Sequence, residues 1–453
     1  MANKEFCIHC FSIETENSGG VPLIEEINAG KVESTVIPIG FPDLKEGILS
    51  ALADTTRNYN EVYDLFKEKS LNYQSYSQDS TGYCWLMSTL ACVSDYVIKK
   101  YGSEDVRFSK KHLVFYDKIE KSNLFLEHII STITSDIDSK TVRYILTRGI
   151  SDRGQFSMAK VLIEKYGLVP VEETEDERIR VNTGELNACL SMILRNDAYI
   201  LRRMHYFGSG QEEILKAKKE MLNEITKILI ATFGYPVSCV KTPDYISNAS
   251  DRWLKPIDFY KKYVDYPFDE YVSIINDGKS TDLLYVEDCV KLDGFSLVGH
   301  YNSFIHVTDK VFFSAITNQI EDGVPCWIGC DAGKFSFWKR NIFDDSSIDF
   351  SKICSFIQAD TFAKNTVFSY GIASITHSLV VVDRRADAMN MYWWRALNSS
   401  ALSGKVSYCS QSWFEKYVFQ AIVCKKYLAD VSSDMSCIQK RYMFPWELSN
   451  ICM

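Results

Sequence analysis

The chain has 453 residues, 46% hydrophobic and 24% charged, an ordinary globular composition that excludes a disordered or fibrous protein. A net charge of −9 makes a surface that repels phosphate backbones, so nucleic acid is an unfavourable partner. No apolar run approaches the roughly 18 residues that span a bilayer, and the start, MANKEFCIHCFSIETENSGG, lacks the apolar stretch of a secretory signal, so the chain reads as soluble and cytoplasmic with no membrane partner.

In chain order, Cys7, His9 and Cys10 of CIHC have the residue types of a soft-metal site. No matched second pair such as CxxC or HxxxH follows, and no metal is assigned. VIPIGFPD, with Pro38 and Pro42, reads as a non-helical connector. Cys84 opens a helix: Leu86, Leu90, Val93 and Val97 recur as one apolar stripe, Lys99 and Lys100 complement the C-terminal dipole, and Gly102 closes it. The pattern is helical again from Ser109 to about Ile133, with Leu113, Tyr116, Ile119, Leu124 and Ile129 apolar. The acidic run EETEDE before Arg178 reads as a solvated loop or a helix start. QEEILKAKKEMLNEITKILIATFGYP is the longest helix candidate, with Ile214, Met221, Ile225, Ile228 and Thr232 on one face and Gly234 and Pro236 as the stop. Cys326 and Cys330 in CWIGCDAGK read as strand and turn. The last third is short, β-branched and aromatic in SITHSLVVVD, MYWWRALN, KVSYCS and VFQAIVC. Helices early and strands late predict an α+β fold. The fourteen cysteines are irregularly spaced and read as mostly buried, small apolar side chains.

One set of residues carries chemistry. A thiol at a helix N-terminus feels the positive end of the macrodipole, which favours the thiolate at Cys84. A nucleophile needs a base and an orienter for that base. His377 lies on a β-patterned run, and Asn398 stands 21 residues later, at the end of the next one. An asparagine there accepts the imidazole N–H without adding charge. Gln78, six residues before Cys84, can give its amide to an oxyanion together with the Cys84 backbone N–H. Taken singly, each has a structural reading: core thiol, satisfied core histidine, turn-forming asparagine. The order Gln, Cys, His, Asn points to a cysteine nucleophile.

At these residues the chain resembles a known family. QDSTGYCW resembles the Q-x-x-S-G-R-C-W nucleophile motif of bleomycin hydrolases and bacterial aminopeptidases C, a branch of the papain-like cysteine peptidases. THSLVVVD resembles their T-H-A-M strand and WRALNSS their W-R-V-E-N-S-W-G. The resemblance is nearly continuous from about Tyr73 to Met453. His377 stands 293 residues after Cys84, which exceeds the roughly 130–150 of simpler papain-like enzymes, as helical insertions of this branch would require.

The resemblance implies a two-lobed papain-like fold, a helical lobe plus a β-barrel-like lobe, with large helical insertions and a C-terminal arm. It divides the chain into a weakly matched segment 1–70, a nucleophile lobe 71–145, an insertion 146–255, a β-rich lobe 256–430 and an arm 431–453. It implies Cys84 as nucleophile, His377 as general base and then acid, Asn398 as orienter and Gln78 as oxyanion donor, with no metal or organic cofactor. The substrates are peptides or amino-acid amides with a free N-terminus. Gly154 and Arg153 would contact substrate, and the Met453 carboxylate would reach the cleft. Family members are homo-hexamers.

Three departures stand out. Tyr83 replaces the Arg before the nucleophile, Arg153 replaces the first Gly of D-G-G-Q-W, and Ser400 replaces the Trp of N-S-W-G. Loss of that Trp is expected to wet the Asn–His bond and weaken the ion pair. These departures keep two other readings open: a weakly active or inactive papain-fold scaffold, and a nucleic-acid-binding module, which the acidic balance disfavours.

Overall fold

The computed structural model describes residues 58–67, 73–171, 179, 181–247, 249, 252–278, 284–288, 302–337, 340–347, 363–400, 406–428 and 439–443. All belong to one compact unit, Thr55–Ser347 with Asp360–Met453. The other unit, Met1–Asp54 with Ile348–Ala359, lies outside the described residues. So do the CIHC cluster, Pro38, Pro42, the acidic run with Arg178, and Met453.

The helices come first: α1 (Asn60–Leu65), α2 (Cys84–Tyr101), α3 (Lys110–Ser131), α4 (Lys140–Arg148), α5 (Phe156–Tyr166), α6 (Thr183–Tyr206) and α7 (Gln211–Phe233). A small ribbon, β1 (Val240–Lys241) and β2 (Trp253–Leu254), and a short α8 (Pro256–Phe259) lead into the sheet. Its strands are β3 (Tyr271–Ile275), β4 (Leu284–Asp288), β5 (Ser303–His306), β6 (Cys326–Cys330), β7 (Ser336–Phe337), β8 (Ile342–Phe343), β9 (His377–Ala386), β10 (Tyr392–Leu397), β11 (Val406–Ser410), β12 (Val418–Cys424) and β13 (Gln439–Met443). Helices α9 (Asp309–Glu321), α10 (Lys364–Ser369) and α11 (Gln411–Tyr417) lie between them. The order across the sheet is β13-β4-β5-β3-β12-β6-β9-β10-β11-β8-β7, so β6 and β9 sit in its middle.

Helix α2 is buried nearly all round, as a helix between two layers must be. Leu86, Leu90, Val93 and Val97 are all inaccessible, and burial of each contributes about 2 kcal/mol. The helix packs against β9 and β6 on one side and against α3 and α5 on the other. Trp327 of β6 donates its indole N–H to the Trp85 carbonyl at 3.1 Å, tying sheet to helix one residue after Cys84. Gly102 takes φ 67° and returns its N–H to the Ile98 carbonyl, the left-handed closure that glycine makes without steric cost.

Ser109 caps α3, and Asn182 caps α6 by accepting from the N–H groups of Gly184 and Glu185. Helix α7 ends at Phe233 before Gly234, but its buried face is Ile214, Ile225, Leu229 and Phe233. The expected face placed Met221, Ile228 and Thr232 inside, and all three are only half-buried. In the C-terminal half the buried positions are Leu229 and Phe233, one place on from Ile228 and Thr232, as the packed neighbours of the helix select them.

Candidate active site

Cys84 is the first residue of α2, and the helix begins without a side-chain cap at Tyr83. His377 is the first residue of β9 and pairs with Cys330 of the neighbouring β6. The approach to it is pinned by Asp331, whose carboxylate accepts from Ser374 N–H at 3.0 Å and from the Thr376 hydroxyl at 3.2 Å. Strand β10 runs antiparallel to β9, with Leu397 opposite Val380. The next residues therefore return alongside the start of β9, and Asn398 meets His377.

The contacts fix the imidazole's protonation. Asn398 Oδ1 lies 2.9 Å from His377 Nε2 and 3.0 Å from the Ser400 backbone N–H. A backbone N–H only donates, so the atom facing it is the amide oxygen, and His377 Nε2 must carry a proton. The Asn398 amide donates to the Ser407 hydroxyl at 3.0 Å, which fits the same orientation. Nδ1 is left for Cys84, which shares a side-chain hydrogen bond with His377.

Burial pushes the Cys84 thiol up, but the His377 charge and hydrogen bond, aided by the Ser378 N–H and hydroxyl, outweigh it and hold the thiol below its ordinary value. Burial pushes His377 down, and the Cys84 charge with hydrogen bonds from Cys84 and Asn398 raises it above its ordinary value. Cys92, Cys326, Cys330 and Cys409 are also buried, and burial drives all four thiols up. Cys84 is thus set apart from those four by its partner, not by its depth.

Gln78 joins the site through Ser399. Its backbone N–H donates to the Ser399 carbonyl at 2.8 Å, and its side-chain oxygen accepts from the Ser399 hydroxyl at 2.9 Å. With Oε1 held, the amide presents its NH₂ end as the donor. Ser400 does not leave the pair wet: Asn398 is 2% and His377 7% exposed. Ser399 and Ser407, which bond to Gln78 and Asn398, are buried as well.

The loop before α5 completes the site. A Cβ on Gly154 would lie 2.4 Å from the Trp85 ring, so only glycine lets the loop lie flat on that indole. The missing side chain thus makes room for Trp85. Arg153 is exposed beside it, and its carbonyl accepts from Lys121 at 2.7 Å. Cys84, His377, Asn398 and Gln78 are therefore brought together, and Gly154 packs on the residue after Cys84. Sequence reasoning missed Ser378 and Ser399, whose adjacency to His377 and Asn398 was the available signal, and Ser407, nine residues from Asn398, for which there was none. It also missed Asp152 and the α3 residues behind it.

Fold and site together define a papain-like cysteine peptidase. The Peptidase C1-like family matches residues 43–448, and the chain belongs to that family. It is 29% identical to aminopeptidase C of Listeria monocytogenes over 85% of this chain and 88% of that one. To aminopeptidase C of Lactococcus lactis subsp. lactis it is 30% identical over 89% and 92%. The crystal structure of PepW from Lactobacillus rhamnosis HN001 superimposes with a TM-score of 0.82 at 25% identity, covering 96% of this chain and all of that one.

Proposed function

We infer that the protein is a cysteine-type aminopeptidase of bleomycin hydrolase type, with Cys84 as nucleophile, His377 as base and acid, Asn398 as orienter and Gln78 as oxyanion donor. The observation that carries this is the buried Cys84–His377–Asn398 chain, with the thiol held low and the imidazole held high. The Cys84 thiolate attacks the carbonyl carbon of the first peptide or amide bond. The Gln78 amide and the Cys84 N–H take the oxyanion. His377 gives its Nδ1 proton to the leaving amine, and the thioester forms. Water then attacks, its proton going to Nδ1, and the acid product leaves with the thiolate–imidazolium pair regenerated. These steps draw only on the chain's own residues.

Substrate selection follows from the resemblance to the family. By that resemblance, the Met453 carboxylate would reach the cleft on the N-terminal side of the scissile bond, pair with the substrate's free amine and block longer extensions. Gly154 and Arg153 line the same side. Deleting 450–453 should reduce release of single N-terminal residues and increase internal cleavage, with amino-blocked peptides becoming acceptable substrates. Mass-spectrometric product mapping on one free and one blocked peptide checks this. Unchanged single-residue products, with the blocked peptide still refused, would exclude the arm as the gate and leave Arg153 as the next candidate. Turnover of a panel of amino-acid amides tests the activity itself, and inertness of Cys84 toward a thiol-directed peptidase probe would favour the scaffold reading.

Asn398→Ala should lower kcat on the order of 10–100-fold, less than loss of the base, because Asn398 fixes the ring without exchanging a proton. Equal losses for Asn398 and His377 variants in steady-state kinetics would give Asn398 a different role. The reading also includes a homo-hexamer. Association of copies is supported by exposed aromatics at the end of α6, Tyr199 and Tyr206 with Phe207 just beyond it; the number six comes from the resemblance. None of the described helices is long and apolar enough to cross a membrane, and the cytoplasm is the compartment of this reading.

A further inference from the structure

The start of α2 raises a physical question. Its first turn holds the nucleophile and one oxyanion donor, yet no side chain caps it. Something else must hold residues 82–85 still. Two acids do so from outside the helix, Asp152, which is half-buried, and Asp117, which is fully buried. Asp152 Oδ2 accepts from the Gly82 N–H at 3.0 Å, and its backbone carbonyl accepts from Trp85 Nε1 at 2.7 Å. The Tyr83 hydroxyl, fully buried, donates to Asp117 Oδ2 at 2.7 Å. Positions 82, 83 and 85 are each tethered.

Both acids are neutralised by lysines of α3. Lys118 Nζ lies 2.6 Å from Asp152 Oδ1, with its side chain 0% exposed, and Lys121 Nζ lies 2.9 Å from Asp117 Oδ2. Lys118 also lies 5.1 Å from the centre of the Tyr83 ring. Asp152 is further held by α6: Asn187 Nδ2 donates to Oδ1 at 2.8 Å and Thr183 Oγ1 to Oδ2 at 2.5 Å. Burial alone would raise the Asp152 carboxyl, but Lys118 with Thr183 and Asn187 holds it well below the usual carboxylate range. The approach is also close. A Cβ on Gly82 would fall 2.9 Å from Asp152 Cβ, so the turn needs glycine there to reach the acid.

We propose that Asp152 is a positioning residue for the reaction, acting through Gly82 and Trp85 to fix Cys84 and its backbone N–H, and that Tyr83–Asp117 is a second, weaker tether. It also links the α6 insertion to the nucleophile. The inference rests on Cys84 being the nucleophile, and its test separates the two: failure of that reading shows as an inert wild type.

Removing the Asp152 charge alone strands Lys118, so the variants are paired. Lys118→Met with Asp152→Ala removes the ion pair and the acceptor; Lys118→Met with Asp152→Asn removes the pair but keeps an acceptor for Gly82. On an amino-acid amide, the alanine pair should lose about 30–100-fold in kcat with KM within about 3-fold, a loss confined to the transition state. The asparagine pair should recover to within about 5-fold of wild type. Alkylation of Cys84 by neutral iodoacetamide against pH should shift for the alanine pair only. Wild-type kcat and alkylation in a folded alanine pair would overturn the proposal, as would equal impairment of both folded pairs. Tyr83→Phe, which removes one hydroxyl and leaves Lys121 on Asp117, decides the matter if neither pair folds. A 3–10-fold fall in kcat supports the proposal, and an unchanged kcat and alkylation profile overturns it.

Discussion

Cys84→Ala abolishes hydrolysis of every amino-acid amide and leaves the fold intact. The thiol is the only group in the turn that can form the acyl-enzyme, so kcat should fall on the order of 10⁵–10⁶-fold, to what binding and the oxyanion donors alone support. Stability should change by no more than about 1 kcal/mol. Alanine is a better helix former at the first position of α2, and this offsets the small void left by sulfur. Steady-state kinetics and a thermal melt read the two sides separately. Retained turnover in a folded Cys84→Ala protein would remove Cys84 from the mechanism.

His377→Ala should cost on the order of 10⁴ in kcat, since it removes both proton-transfer steps. Its effect on the thiol makes it more informative than the rate alone. In the wild type, the ion pair exists above the Cys84 pKa and below the His377 pKa. The first is lowered and the second raised, so the active window is widened at both ends. Cys84 should therefore alkylate at a pH below that of an ordinary cysteine, and kcat/KM should fall only at a pH above that of an ordinary histidine. Without the ring, burial becomes the dominant influence on Cys84 and pushes the thiol up. Neutral-pH alkylation should then nearly stop, with the profile displaced to the alkaline side. An unshifted profile in a folded variant would mean that Ser378 and the helix terminus, not His377, activate the thiol.

The candidate site was legible in part because its members sit at element boundaries that local chemistry marks. Cys84 precedes a clean apolar stripe, His377 opens a β-branched run, and Asn398 ends the next one, so order and spacing survive without coordinates. Gln78 was readable from its place six residues before Cys84, but its link to the site through the Ser399 carbonyl and hydroxyl was not. The rotated face of α7 was not legible, because Ile228 and Leu229 are equally apolar and only the packed neighbour chooses between them. Nor was the dryness of the His377–Asn398 pair, because burial is set by tertiary packing.

By itself, then, the sequence determined the helices-then-strands order, the start and stop of α2, α3 and α7, and the set Gln78, Cys84, His377 and Asn398, because capping, periodicity and motif spacing are properties of neighbours along the chain. The tertiary structure alone decided which nitrogen of His377 faces the thiol, what fills the space at Gly154, and that Asp152 and Asp117, paired with Lys118 and Lys121, bond to Gly82, Trp85 and Tyr83 beside Cys84. Those outcomes come from charges and rings that are far apart in sequence and meet only when α2, α3, α6 and β9 pack. Burial then sets their energies, and no local pattern encodes how deeply a residue will be buried.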